Sequence, residues 1–302
     1  MRRLSLFGVL LSAGAVAYAA APRPAVQGVG PVTVQTMDVR ESLYVISGGG
    51  GHTAALVTEG HGVVLVDTKL AGWGQPMLEA IQAITEQPVT TIINTHTHGD
   101  HVGGNVAFPS TVEIIAHENT AAHMSRMDAF AGASAASLPD RTFGDTLRLF
   151  DGRDQIDLYY FGAGHTDGDA IVVFPALGIA HLGDLYAVKG TPIIDSRNGG
   201  SGVAYPDTLD RALATIEGVR RVIPGHIPPP AGSPMPPWAT WEDVREYAQF
   251  NRDFLEAVRA AKDAGRSVDD AVDGLDLQAR YPDYAMDRTR ANVEAIYNEL
   301  ER

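Results

Sequence analysis

The sequence predicts a layered α/β protein with a helical C-terminal extension, and three observations carry that expectation. Short apolar runs with strand character recur from Val32 to Ile223. One of them is joined to the next through a helix, which makes a βαβ unit. At four strand ends the apolar run gives way abruptly to His or Asp beside glycine, the habit of layered α/β proteins that collect their chemistry along one sheet edge.

The chain opens with Arg2 and Arg3, an apolar run from Leu4 to Val16, and Ala17-Tyr18-Ala19. This is the charged, apolar and small-x-small layout of an export signal, and its apolar part is too short to span a bilayer comfortably. Residues 1–19 are therefore expected to direct export, to a bacterial periplasm, and to be cleaved. A Pro-rich lead follows over 20–31. Strands are expected at Val32 to Thr36, Leu43 to Ser47, Ala54 to Thr58 and Gly62 to Val66. The glycines Gly48 to Gly51 read as a mobile loop, with His52 beside them in solvent.

Apolar positions at helical spacing (Met77, Leu78, Ile81, Ile84) place a helix over Trp73 to Thr85, before the strand Val89 to Asn94. Val112 to Ala116 reads as a strand and the residues through His123 and Met127 as a helix. His117 and His123 stand singly and are read as structural. The small residues from Ala129 to Leu138 read as a loop or weak helix. Strands follow at Thr146 to Phe150 and Ile156 to Phe161, then a hairpin of Ala170 to Phe174 and Ile179 to Leu182, a helix over Asp207 to Glu217, and a strand at Arg221 to Ile223. His181 lies on a buried strand, and a core or supporting role suits it better than a ligand's.

Six prolines between Pro228 and Pro237 mark a boundary. The expected division is a main domain over 32–237 and a helical extension over 238–302, with helices at Trp241 to Ala264, Val268 to Leu275 and Thr289 to Leu300.

Composition narrows the chemistry. The net charge of -14 becomes -16 once Arg2 and Arg3 leave with the leader, which holds no acid. With no clustered Lys or Arg, nucleic acid is not an expected partner. There is no cysteine, so disulfides and thiolate chemistry are excluded and any metal must be held by His and carboxylate.

Such a set begins at Thr95-His96-Thr97-His98-Gly99-Asp100-His101, directly after the strand Val89 to Asn94. In an extended segment His96 and His98 point the same way, while Asp100 and His101, past Gly99, turn toward a neighbouring position. One loop could serve two metals. His165 after Gly164, Asp184 after Gly183, and His226 after Pro224-Gly225 supply three more potential ligands at strand ends.

In this order and spacing the seven residues resemble the metallo-β-lactamase fold superfamily over about Val32 to His226. The resemblance implies a four-layer αβ/βα sandwich with two zinc ions in a shallow groove. His96, His98 and His165 would hold the first, Asp100, His101 and His226 the second, and Asp184 would bridge them. Three neutral imidazoles leave one open tetrahedral position, suited to a water whose pKa falls to about 7. The implied activity is attack of a metal-bound hydroxide on a cyclic or activated carbonyl, with Asp100 orienting the nucleophile. Iron or manganese are the alternative metals, because the same ligands suit them. No Ser-His-Asp triad is apparent.

The stretch Gly164 to Pro175 and the export signal are similar to the largest subclass of zinc β-lactamases, which points to β-lactam ring opening. Those enzymes carry cysteine where this chain has Asp184 and lack a histidine at the position of His101. Both features look instead like glyoxalase II and lactonases, so a lactone or thioester hydrolase is the alternative. The glycine loop is shorter than the β-lactamase flap, and the tail after Pro237 has no counterpart there. Lys189 and Asn198 stand where a carboxylate clamp and an oxyanion donor could sit, and the reading as ordinary loop residues is preferred. The expected partner is a small-molecule substrate, with no membrane once the leader is removed. A catalytically silent metal-binding protein is the reading from a different class.

Overall fold

A computed structural model describes residues 32–36, 42–226 and 238–302. The leader, the Pro-rich lead and the proline cluster lie outside the described residues.

Two sheets face each other. The first is ordered β1 (Thr33–Thr36), β2 (Leu43–Ser47), β3 (Thr53–Val57), β4 (Val63–Val66), β5 (Val89–Asn94), β6 (Glu113–His117) and β7 (Arg141–Phe143). The second contains β8 (Thr146–Leu149), β9 (Ile156–Tyr159), β10 (Ile171–Phe174), β11 (Ile179–Gly183), β12 (Arg221–Pro224) and β13 (Ala239–Thr240), in the order β13-β12-β11-β10-β9-β8. The strands from β4 to β7 run parallel, as do β11 and β12. Their carboxyl ends consequently come out on common edges.

Period-two alternation sorts the side chains into layers. Val64 and Val66 face the second sheet and pack with Leu158, Val172 and Ile223. Val63 and Leu65 face outward onto Met77 and Ile81 of α1 (Gly74–Gln82). The outer face of the second sheet, including Val173, Ala180 and Val222, is covered by α4 (Tyr205–Thr215), α5 (Trp241–Asp263), α6 (Val268–Asp273) and α7 (Thr289–Glu299). Helix, sheet, sheet and helix make the expected αβ/βα sandwich. Two short helices, α2 (Gly99–Val102) and α3 (Glu118–Met124), follow β5 and β6.

The expected strands and helices recur within a few residues of their sequence bounds. Strands β7 and β13 were not foreseen, since three and two residues are too few to display a pattern. The segment from Ala129 to Leu138 is built from 3-10 turns at Asp128–Phe130 and Gly132–Ser137. Helix α5 begins in a capping box, with Thr240 and Asp243 each accepting the other's backbone N–H. Its stripe of Val244, Tyr247, Phe250, Phe254 and Val258 enters the same core as the second sheet, so the extension shares apolar packing with the strands it follows. Among the described residues, no helix is long and apolar enough to cross a membrane.

Candidate metal centre

All seven residues singled out from the sequence converge at one edge of the sandwich. Ligand atoms of His96, His98, His165 and Asp184 lie within 4.8 Å of one another, as do those of Asp100, His101 and His226. Asp184 also reaches the second group, with Oδ1 3.3 Å from His101 Nε2 and 3.4 Å from His226 Nε2. It stands between the two clusters, as a bridging ligand must.

Each of four imidazoles is fixed by a partner on its outer nitrogen. His165 Nδ1 donates to the Ile193 carbonyl at 2.7 Å, and His98 Nε2 donates to Asp195 Oδ2 at 2.7 Å. His101 Nδ1 donates to Asp67 Oδ2 at 2.7 Å. Thr95 Oγ1 donates to the same Asp67 oxygen at 2.7 Å and accepts from His96 Nδ1 at 3.0 Å. Such contacts select the tautomer that leaves the inner nitrogen with its lone pair free, the form that binds a metal.

The inner nitrogens accordingly face each other. His98 Nδ1 and His165 Nε2 are 3.0 Å apart, and His101 Nε2 and His226 Nε2 are 3.2 Å apart. Lone pairs at that separation need a shared proton or a cation between them. His96 Nε2 and Asp184 Oδ1 are buried without a hydrogen-bond partner, although a buried polar atom is ordinarily paired. The donor set therefore fits a pair of metal ions.

Charge tells the same story. Burial pushes His96 well below the usual imidazole range and His165 down to about 4, so both are neutral. Burial opposes charge on His101 and His226 too. Yet Asp184 and Asp67 hold His101 well above its ordinary value, and a hydrogen bond to Asp100 together with the nearby charge of Asp184 raises His226 to about 9. Against its own burial, Asp184 is kept well below the carboxylate range by His101 and His226. The carboxylates thus favour positive charge at these two imidazoles, the charge that a bound cation would supply.

The glycine loop is tightly packed, contrary to the mobility expected of it. A Cβ on Gly51 would run into the His101 ring, and one on Gly50 would lie 2.6 Å from the Asp100 carbonyl oxygen. Gly51 N donates to that oxygen, and Lys69 Nζ donates to the carbonyls of Gly51 and Ile46. Glycine is used here for close approach. His52 is likewise buried, against the expectation of solvent, because its Nδ1 donates to the Pro224 carbonyl at 2.9 Å.

His117, His123 and His181 stand outside both clusters. His117 caps α3 and stacks on Tyr160, while His123 pairs with Asp167. His181 is fully buried, accepts from Gly183 N and donates to the His52 carbonyl. Lys189 pairs with Glu246 of α5, and Asn198 donates to Asp195. Each of the last two thus has a partner within the protein.

Sequence reading missed the supporting residues Asp67, Lys69, Thr95 and Asp195. Asp67 does carry the signal that found the ligands, an acid directly after an apolar run. Both Asp67 and Lys69 adopt left-handed backbone, with φ of 66° and 75°. Strain of that kind in non-glycine residues concentrates at functional sites.

The sequence profile described as the Metallo-beta-lactamase superfamily matches residues 47–246. A type 2 metallo-beta-lactamase of Bacteroides fragilis is 26% identical over 175 residues, 57% of this chain and 67% of that protein. A hydroxyacylglutathione hydrolase of Maricaulis maris is 30% identical over 149 residues, 47% of this chain and 48% of that protein. The chain thus spans about half to two thirds of the length of these relatives. Among solved structures, a metallo-beta-lactamase from Pontibacter korlensis superposes with a TM-score of 0.60 at 20% identity, covering 73% of this chain and 99% of that one.

Proposed function

The chain belongs to the metallo-beta-lactamase superfamily, and from that premise we propose that it is an exported di-zinc hydrolase that opens a cyclic or activated carbonyl, β-lactams included. The observation that carries this reading is Asp184 Oδ1, buried, unpartnered and within 3.4 Å of both second-cluster imidazoles. When bound, zinc supplies Lewis acidity toward a carbonyl oxygen and a water acidified to near neutrality.

The chain's own residues do the rest. His96, His98 and His165 would hold one ion and Asp100, His101 and His226 the other, with Asp184 within reach of both. Ile193, Asp195, Thr95 and Asp67 keep the imidazoles in the binding tautomer. The Asp100 side chain is partly exposed, and its Oδ2 lies 3.0 Å from His226 Nε2. It can accept a proton and orient the attacking oxygen.

A second reading is supported by Asp184 in place of a cysteine and by His101, together with the likeness to the Maricaulis maris enzyme. In this reading the substrate is a lactone or thioester. One experiment separates the two: elemental analysis of the purified chain, alongside turnover of nitrocefin, an acyl-homoserine lactone and a glutathione thioester, with and without chelator. Two zinc ions and chelator-sensitive nitrocefin turnover support the first reading. Two zinc ions with turnover of the lactone or thioester alone support the second. A metal-free protein that hydrolyses nothing overturns both.

A further inference from the structure

The segment from Lys189 to Asn198 leaves the end of β11 and passes along the metal centre. On its inner side the Ile193 carbonyl receives His165 Nδ1, and Asp195 receives His98 Nε2. Two of the three histidines of the first cluster are thus oriented by residues two apart. Neither belongs to a helix or strand of its own, and a loop left to itself does not hold such groups to a few tenths of an ångström.

The outer side of the segment is occupied by the C-terminal helices and their connections. Gly190 forms a parallel bridge with Ala285; Thr191 N donates to the Ala285 carbonyl at 2.8 Å, and Ala285 N donates to the Lys189 carbonyl at 3.1 Å. A side chain on Gly190 would meet the Ala285 carbonyl at 2.5 Å, so the two backbones touch. Arg288 N donates to Thr191 Oγ1 at 3.1 Å. From α7, buried Asn292 donates Nδ2 to the Pro192 carbonyl at 3.0 Å, immediately before Ile193. Ile194, between the two orienting residues, packs into the core shared with Ile296, and Gly202 is small enough for Ile296 and Ile194 to approach over it. Glu299 closes the far end by accepting from Ser201 Oγ and Val203 N.

We propose that residues 285–299 act as a brace that positions the first metal cluster, holding Pro192, Ile194 and Ser201 so that Ile193 and Asp195 orient His165 and His98. The inference rests on the metal-binding reading of that cluster. Partners of this kind behind metal-bound histidines change metal affinity by about 10- to 100-fold when removed. Among the described residues no hydrogen bond or ion pair joins residues 285–299 to Asp100, His101 or His226, and the carboxylate that orients His101, Asp67, comes from the end of β4.

The test is a zinc titration of the chelator-stripped full chain against a competing fluorescent chelator, which yields two stepwise affinities. Asp195→Ala, which touches His98 directly, marks the affinity that belongs to the first cluster. Asn292→Ala/Glu299→Ala should lower that same affinity about tenfold and leave the other within about twofold. Ile81→Ala, which thins the core between α1 and the first sheet and touches neither the segment nor residues 285–299, should lower thermal stability alone. Should the double variant fail to fold, Thr191→Val, which deletes the acceptor for Arg288 N and the hydroxyl's own 3.4 Å bond to the Ala285 carbonyl, is expected to show the same one-sided loss at smaller amplitude. Unchanged affinities, an equal loss at both clusters, or the same loss in Ile81→Ala would overturn the brace. Absence of zinc binding by the unaltered chain would instead remove the reading beneath it.

Discussion

Asp67 and His101 form a buried pair in which Asp67 Oδ2 accepts from His101 Nδ1 at 2.7 Å, and neither side chain is accessible to solvent. Asp67 also accepts from Thr95 N at 2.8 Å, so one carboxylate at the end of β4 ties down both ends of the ligand loop. Its left-handed backbone aims it there, and the alternative of an extended residue would turn the carboxylate away.

Asp67→Ala should therefore weaken zinc binding at the Asp100, His101 and His226 cluster by about 10- to 100-fold, as removal of a histidine's outer partner does. Competition with a chelator measures it. An affinity equal to that of the unaltered chain would show that His101 is oriented by packing alone.

Gly51→Ala places a methyl group against the His101 ring, with no flexible side-chain end to give way. Overpacking of this kind costs about 1–3 kcal/mol. Gly60→Ala, at a site with nothing within 4 Å, should be close to neutral. Chemical denaturation of both variants tests the contrast, and equal stabilities would mean that the glycine loop yields after all.

The seven candidate ligands were legible because His and Asp declare their own chemistry and each follows an apolar run that reads as a strand. The parts that orient them were not. The Ile193 carbonyl has no signature in a sequence, and Asp195 sits in a segment without periodicity. Gly48 to Gly51 and His52 were misread for a related reason: glycine permits mobility and close approach alike, and only the neighbouring His101 and Asp100 decide between them. The sandwich itself followed from alternating strands and one βαβ unit. Where the C-terminal helices dock did not, because an apolar stripe says that a helix is covered without saying by what.

That docking has an energetic consequence. Phe250 of α5 is fully buried and lies between Tyr247, Tyr281 and Tyr284, with ring centroids 4.5 Å from Tyr284 and 5.0 Å from Tyr281. Phe250→Ala should cost about 3–5 kcal/mol. Because the same core includes strands β10 to β12, unfolding should stay a single transition at a lower denaturant midpoint. Two separated transitions would show that the helices melt independently of the sheet.

Lys69 offers a dependence on pH. Burial lowers its ammonium group to about 7, against the pull of Asp67 and Asp100. Between that value and the ordinary 10.5, the unfolded chain still holds a proton that the folded chain has released, so this group makes stability rise with pH across the window. Lys69→Met has no such proton, whereas the raised imidazole of His226 is common to both proteins and largely cancels in their difference. In chelator-treated protein, the stability of the unaltered chain relative to Lys69→Met should therefore increase steadily from pH 7 to 9. A flat difference would mean that Lys69 stays protonated in the folded state, its charge carried by the Ile46 and Gly51 carbonyls and the two nearby carboxylates.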